Sequence, residues 1–432
     1  MAIETWLPAL LGYLIPVGLF LLAWGGIPPE RARRTATVGA LALALAVLGY
    51  WAVGFAFHLG GTSAALGEEA RLYEQADGWG LIGLSGFFLM GKATMPEGLE
   101  LFVNYLPLVA SAVLLVVLSV AGRARGWQTT VGGLIVGAIL FPLAACWAWG
   151  GGWLANLGLT IGGGHGGHGF VDYAGSGVVY LLGGLAALGA LVGLGERLPR
   201  GEPDKPAEMP PVHFPLLANL GALLFGLGWL GWSLSQPFHA AGATLAPSLI
   251  AVNGLLAAAG AILASQTYCW FTVGHADALM SARGMVAGFV AISAGAPFVP
   301  PWAALVTGVV AGLLLPLGVY LVERVLRLPD ETATVALGIT AGLLGLLVVA
   351  LFANGLWGQG WNGIRGDYRG VPDQGVTGFL PAARFAEGDG PRQLVDQLAG
   401  IGAIGALAFA MDWLVFLVMS VPYRLRGERR VS

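Results

Sequence analysis

Histidine is the side chain best suited to proton transfer or metal binding near neutral pH, so the histidine positions indicate where such chemistry could occur. The 432-residue chain has six of them. They are His58, His165, His168, His213, His239 and His275. All six fall near the ends of apolar segments or between them, so we expect none in the middle of a hydrophobic helix.

Two of these histidines lie in the glycine-rich segment 162–169, which reads GGGHGGHG. Imidazoles on such a flexible segment could bind a metal ion, but two ligands are few for a zinc site. A solvated loop is therefore the better interpretation of His165 and His168, unless His239 converges on them. We expect no metal and no cofactor.

The remaining residue patterns argue against an enzyme. Only Cys146 and Cys269 occur, both in apolar surroundings, which gives neither a disulfide framework nor a metal cluster. The apolar segments contain no phosphate-binding loop and no set of nucleophile and base. We also expect no nucleic-acid partner.

The composition points to a membrane protein. Hydrophobic residues make up 56% of the chain and charged residues 10%, whereas soluble domains carry roughly 25% charged residues. The 70 glycines lie largely inside apolar runs, where small residues let membrane helices approach closely. The surface is therefore expected to face lipid.

A bilayer core needs about 20 apolar residues per helix, and the apolar runs predict an all-α polytopic protein with eleven transmembrane helices. The predicted helices cover residues 6–25, 36–59, 100–122, 128–149, 171–195, 213–235, 246–268, 277–297, 301–323, 333–354 and 397–421. The short apolar run Gly80–Gly91 is interpreted as a re-entrant or interfacial piece of an outer loop.

Basic residues orient these helices. Most Lys and Arg residues fall on one side if the N-terminus is external, and the positive-inside rule makes that side cytoplasmic. The Pro-rich linker 196–212 and the short basic tail 422–432 are then cytoplasmic. We expect a multi-pass protein of a plasma (inner) membrane. The linker divides the helices into five and six, which favours a five-plus-five inverted repeat plus a final helix.

Four blocks in order carry a resemblance to a known family. They are AWGGG at 148–152, DYAGSGVV at 172–179, GWLGW at 228–232, and AGFVAISAG at 287–295 followed by WAALVTG at 302–308. The chain resembles the ammonium transporter (Amt/Mep/Rh) family across residues 6–421. The resemblance implies a homotrimer of eleven-helix subunits, each with a narrow apolar pore for ammonium or ammonia.

The resemblance also implies residue roles. It places Trp149 in an outer vestibule that recruits the cation, with Gln236 as the polar acceptor and Tyr105 and Trp232 as pore aromatics. Val109 falls where the family has a gate phenylalanine, so half of that gate is absent.

The family's two pore histidines correspond to Tyr180 and, with a register uncertain by one residue, to Gly338. The twin-histidine relay is therefore expected to be absent. Tyr180 is either a polar lining residue or a plug, with Gly338 opposite it. Asp172 is interpreted as a structural helix cap near the vestibule. The long C-terminal tail that serves a PII-type regulator is missing, which makes that partner doubtful.

Two kinds of function fit these features. The first is an ammonium transporter-like channel that passes ammonium, ammonia or another small neutral solute without the histidine relay. The alternative is a sensor or scaffold that has kept the fold and lost transport. Loss of the gate, the relay and the tail motivates that alternative.

Overall fold

The computed structural model describes residues 7, 9–27, 35–75, 79–159, 167–195, 197–198, 215–235, 237–364, 371–385 and 387–425. Gln236, His165, nearly all of the predicted linker 196–212 and the tail beyond residue 425 lie outside these described residues.

Long helices form most of the described chain. We label them α1 to α11 in chain order. They are Ala9–Trp24, Val38–Leu59, Pro96–Val120, Gly126–Trp149, Ser176–Leu194, Pro215–Leu234, Pro247–Val273, Ala278–Ile292, Pro301–Val325, Thr334–Phe352 and Gly390–Leu425.

Nine of these helices, among the residues described, are long and apolar enough to cross a membrane. The other two, α1 and α8, are apolar but shorter than the rest. They occupy places where the sequence predicts helices. The count of eleven crossings itself stays a prediction.

The helices α5 and α10 begin in the same way and cross each other at glycines. A buried aspartate precedes each: Asp172 accepts backbone N–H groups at the start of α5, and Asp330 does so at the start of α10. The backbones meet where Gly184 faces Gly338, and a Cβ on either would lie 2.9 Å or less from the other helix. Matching caps and a mutual crossing are what an inverted repeat produces.

The helix bounds differ from expectation at two places that matter for the site. Helix α5 begins at Ser176 instead of residue 171, because the Asp172 side chain occupies the cap and keeps its own backbone outside the helix. Helix α11 begins at Gly390 instead of residue 397, because buried glutamines in its first turns find backbone partners.

Part of the segment Gly80–Gly91, predicted to be a re-entrant or interfacial piece of an outer loop, is a strand. Its first residues form β2 (Trp79–Gly83), which pairs antiparallel with β1 (Leu72–Gln75). The hairpin is tied to the end of α4, since the Trp147 indole donates to the Leu81 carbonyl at 2.8 Å. The strand satisfies its backbone groups within the hairpin, and the position of the segment relative to the membrane stays a prediction.

Gln397 on α11 joins the two halves of the fold. Its amide nitrogen donates to the carbonyls of Val171, just before α5, and Leu346 on α10, at 2.8 and 3.0 Å. Its amide oxygen accepts from the Val171 N–H at 2.9 Å. The side chain is fully buried, so these bonds fix the segment that carries Asp172.

Replacing Gln397 with leucine is expected to destabilise the fold by about 3 kcal/mol, because it removes three buried hydrogen bonds and leaves the Val171 N–H without this partner. The measurement is the thermal melting temperature of the detergent-solubilised protein. Leu398→Ala, on the neighbouring half-exposed residue, is the control and should change it little. Equal melting temperatures for Gln397→Leu and wild type would contradict this role.

Candidate functional site

A polar cavity of about 330 Å³ opens at the end of the helix bundle that the sequence predicts to be external. Loops after α2, α4 and α6 and the segment before α11 surround it. Its polar lining includes Thr62, Ser63, Asn156, His239 and Asn362, and Trp149 also borders it.

Trp149, the last residue of α4, is nearly buried beneath this cavity. Its indole N–H donates to the backbone carbonyl of Asp172 at 2.7 Å, which fixes the orientation of the ring. An indole face held rigidly below a polar cavity can attract a small cation through its quadrupole.

The imidazole of His239 covers that indole face. The two ring centroids lie 4.6 Å apart and the ring planes differ by 8°. His239 comes from a short helical turn, Phe238–Ala240, in the loop after α6.

Two hydrogen bonds hold the His239 ring in place and define its tautomer. Nε2 lies 2.8 Å from the Tyr173 backbone carbonyl, which can only accept, so Nε2 carries the proton. Nδ1 therefore accepts from the Tyr105 hydroxyl, also at 2.8 Å. Burial lowers the pKa of the His239 imidazole to about 3, and the hydrogen bond to Tyr173 opposes this shift only in part. The ring is neutral at physiological pH.

Other rings complete what we call the aromatic floor, which consists of His58, Tyr105, Trp149, Trp232 and His239. Tyr105 lies 5.9 Å from Trp149, 6.3 Å from Trp232 and 4.8 Å from His58, between ring centroids. The structure thus brings together three of the predicted vestibule and pore residues. It adds two histidines to them.

A column of side chains continues inward from the floor, which we call the inner column: Ser233, Trp229, Phe225 and Tyr180. The first three follow one face of α6 at four-residue spacing and span about 12 Å. Tyr180 on α5 meets the lower end, 6.0 Å from the Phe225 ring. All four are essentially inaccessible to solvent.

Two polar atoms of the inner column have no hydrogen-bond partner among the described residues: the Tyr180 hydroxyl and the Ser233 Oγ. The polar atom of Trp229, in contrast, donates to Ser293 Oγ at 2.8 Å. Buried polar groups without partners are rare, and each calls for an explanation such as a water or solute that fits beside it.

Gly338 does not face an open position opposite the Tyr180 ring. A Cβ at Gly338 would lie 2.6 Å from the backbone oxygen of Tyr180 and 2.9 Å from the Cα of Gly184. The residue belongs to the crossing of α5 and α10, so the structure corrects the expectation that Gly338 leaves room for the phenol. That expectation rested on alignment, which gives a position but not the direction in which a side chain points.

The Asp172 carboxylate accepts from the N–H groups of Gly175, Gly177 and Val178 at 2.8–3.0 Å. It is buried and has no direct part in the cavity wall.

The described residues contain no group of three or more side chains that could hold a metal ion. His168 is buried, and both ring nitrogens of His239 are occupied by hydrogen bonds within the floor. His239 therefore does not converge on the glycine-rich segment as a ligand.

Sequence reasoning missed His58 and Tyr173 as parts of this site. His58 Nδ1 is hydrogen-bonded to the Tyr50 hydroxyl at 2.8 Å, and its ring lies 6.2 Å from Trp149. His58 precedes Trp149 by about 90 residues in a different helix, and no local pattern connects the two positions. Tyr173 directly follows Asp172 in the family block at 172–179. That block was the feature of the sequence from which Tyr173 could have been identified.

Comparison with known proteins identifies the family to which the chain is similar. The model of the Ammonium Transporter Family matches residues 6–430. The ammonium transporter Amt2 of Archaeoglobus fulgidus is 33% identical over 332 residues, which cover 76% of this chain and 67% of that protein. A putative ammonium transporter of Synechocystis sp. is 32% identical over 63% of this chain and 61% of its own length. The aligned regions thus span about two thirds or less of these relatives.

Solved structures share the fold. A sensor Amt protein superposes with a TM-score of 0.76 at 23% identity, over 98% of this chain and 93% of its own. Mep2 of Candida albicans superposes with a TM-score of 0.75 at 22% identity, over 98% of this chain and 84% of its own.

The fold is that of a polytopic helical membrane protein. The chain belongs to the ammonium transporter family. The predicted family and fold class are confirmed, and membership makes the protein a transporter-like membrane protein and not an enzyme.

Proposed function

We propose that this protein recruits ammonium, or a closely related small solute, at the outer cavity and passes the neutral molecule inward along the inner column. The observation that carries the proposal is the pair of unpartnered polar atoms, on Ser233 and Tyr180, in an otherwise apolar column directly beneath the aromatic floor.

The position of these atoms supports a path. The Tyr173 hydroxyl donates to the Ser233 carbonyl, and the Tyr173 carbonyl accepts from His239, so Ser233 adjoins the floor. Tyr180, on α5, lies beside Phe225, which is about two turns of α6 deeper than Ser233. A molecule that both donates and accepts hydrogen bonds, such as ammonia or water, can bind at each hydroxyl in turn.

The chemistry of the column supports a neutral species. Phe225 and Trp229 supply apolar surface, and the two free polar atoms are neutral hydroxyls. Moving an ion from water to such surroundings costs several kcal/mol or more, which two neutral hydroxyl groups do not recover. Ammonium therefore transfers its proton to water on the external side before the nitrogen enters the column as ammonia.

The proposal includes the wider arrangement that the sequence predicts. It comprises a homotrimer with one path in each subunit, an external N-terminus, a cytoplasmic C-terminus and a plasma (inner) membrane location. It also includes conduction without the twin-histidine relay, because Tyr180 occupies the first of those positions.

A second candidate function is sensing without transport. The observation that favours it is the closed floor, in which His239 fills the indole face of Trp149 and the rings of the inner column are fully buried. A sensor would bind its ligand in the cavity and pass the signal to a partner protein.

Tyr180→Phe tests the proposed path. Removing one hydrogen bond worth about 0.5–1.5 kcal/mol is expected to lower ammonia uptake by proteoliposomes about two- to tenfold while the fold stays intact. Tyr320→Phe, on a half-exposed residue of α9, is the matched control and should leave uptake unchanged. Uptake that is equal in Tyr180→Phe and wild type would remove Tyr180 from the path.

A further inference from the structure

The indole face of Trp149, which is the surface best placed to bind a cation, is already covered by the side chain of His239. The His239 imidazole lies parallel to the Trp149 indole at 4.6 Å, the distance and orientation of a stacked pair. A cation over the same indole would need the space that the imidazole fills.

The His239 imidazole is held by contacts with uncharged groups only. Its Nε2–H donates to the Tyr173 carbonyl, and its Nδ1 accepts from Tyr105. The rings of Trp361, in an edge-to-face arrangement, and of Tyr105, in a tilted one, close two further sides, with centroids at 5.8 and 6.0 Å. None of these contacts uses charge, so a cation that displaces the ring gains an electrostatic attraction to the indole that the ring lacks.

His239 lies in a loop and not in one of the long helices. It lies on a three-residue helical turn, and Gly242, two residues beyond the turn, has φ +86°, a conformation that favours glycine. His239 also borders the outer cavity, so the ring has adjacent space to enter.

We propose that His239 is a tethered competitor for the cation seat on Trp149, and that a small ammonium-class cation binds there only by displacing the imidazole. The residue thereby determines which solutes the outer site accepts. The inference rests on the proposed function for the identity of the cation, but it concerns binding and does not require transport.

The consequence is selectivity by displacement. A neutral solute gains nothing over the imidazole on the indole face and leaves the ring in place. A small cation exchanges a neutral stack for a cation–π contact and opens the floor toward Ser233. A cation much larger than the imidazole does not fit between Tyr105 and Trp361.

The experiment measures binding of radiolabelled methylammonium to the purified full-length protein by scintillation proximity at pH 8. Wild type, His239→Ala and the double variant His239→Ala/Trp149→Leu are compared. His239→Ala is expected to bind methylammonium at least tenfold more tightly than wild type, and the double variant to lose that gain.

Free imidazole separates displacement from a general change in the fold. It should compete with methylammonium in His239→Ala, where it refills the vacated seat, and should have little effect on wild type. Melting temperature and elution volume report whether the variant is folded. A folded His239→Ala protein that binds no more tightly than wild type, or that imidazole does not affect, would overturn the inference.

Ammonia uptake by the same proteins tells the two proposals apart. A gain in binding without uptake by any variant would retain the tethered competitor and reject the proposed transport. Uptake by wild type, without tighter binding by His239→Ala, would retain the proposed transport and reject the tethered competitor.

Discussion

A histidine introduced at Gly338 is expected to abolish the folded protein and not to restore a histidine pair with position 180. The first side-chain atom at residue 338 would lie 2.6 Å from the Tyr180 carbonyl oxygen, which belongs to the backbone and cannot rotate away. Separating α5 from α10 to make room would open the centre of the bundle. Overpacking of this kind typically costs about 1–3 kcal/mol for small additions, and more for a whole ring.

The measurement is the yield and melting temperature of the purified variant. Gly338→Ala should show the same defect to a smaller degree. Gly402→Ala, at a glycine of α11 with nothing within 4 Å of its added Cβ, is the matched control and should be tolerated. A well-folded Gly338→His protein would show that the crossing is looser than its glycines indicate.

Replacing Asp172 with alanine is expected to cause the second large loss. Three N–H groups at the start of α5 would remain buried without partners, each costing roughly 1–3 kcal/mol. The segment also carries the carbonyl that orients Trp149, so binding at the outer site should fall together with stability.

Asp277→Ala provides the comparison. Asp277 caps α8 through a single bond to the Met280 N–H, at a partly buried position. Its loss should cost about 1 kcal/mol, as is usual for a cap. If the two variants lowered the melting temperature equally, the three-bond cap would not have the role assigned to it.

The sequence predicted the parts of this structure that depend on local pattern. Apolar runs gave the approximate positions of the helices, and Asp172 before a glycine-rich start indicated a cap. The start of α11 was predicted too late because its first turns contain charged and polar residues. Gln393 and Gln397 are buried there because they pair with backbone groups more than 200 residues away in sequence.

The site was less predictable because its geometry is tertiary. The distance between His239 and Tyr105 depends on how a loop after α6 folds over α3, and 134 residues separate the two positions. The resemblance to the family identified Trp149, Tyr105 and Trp232, which all lie on helices. It had no means to show that a loop residue covers the indole.

The most direct test of the central claim is a paired measurement on wild-type proteoliposomes. Stopped-flow detection of internal pH reports ammonia entry, and solid-supported-membrane electrophysiology reports ammonium current. The neutral-passage account predicts uptake clearly above that of empty vesicles, with no sustained current above theirs. A current that scales with ammonium concentration would contradict it by showing that charge crosses the column, and the absence of both signals would favour the sensor.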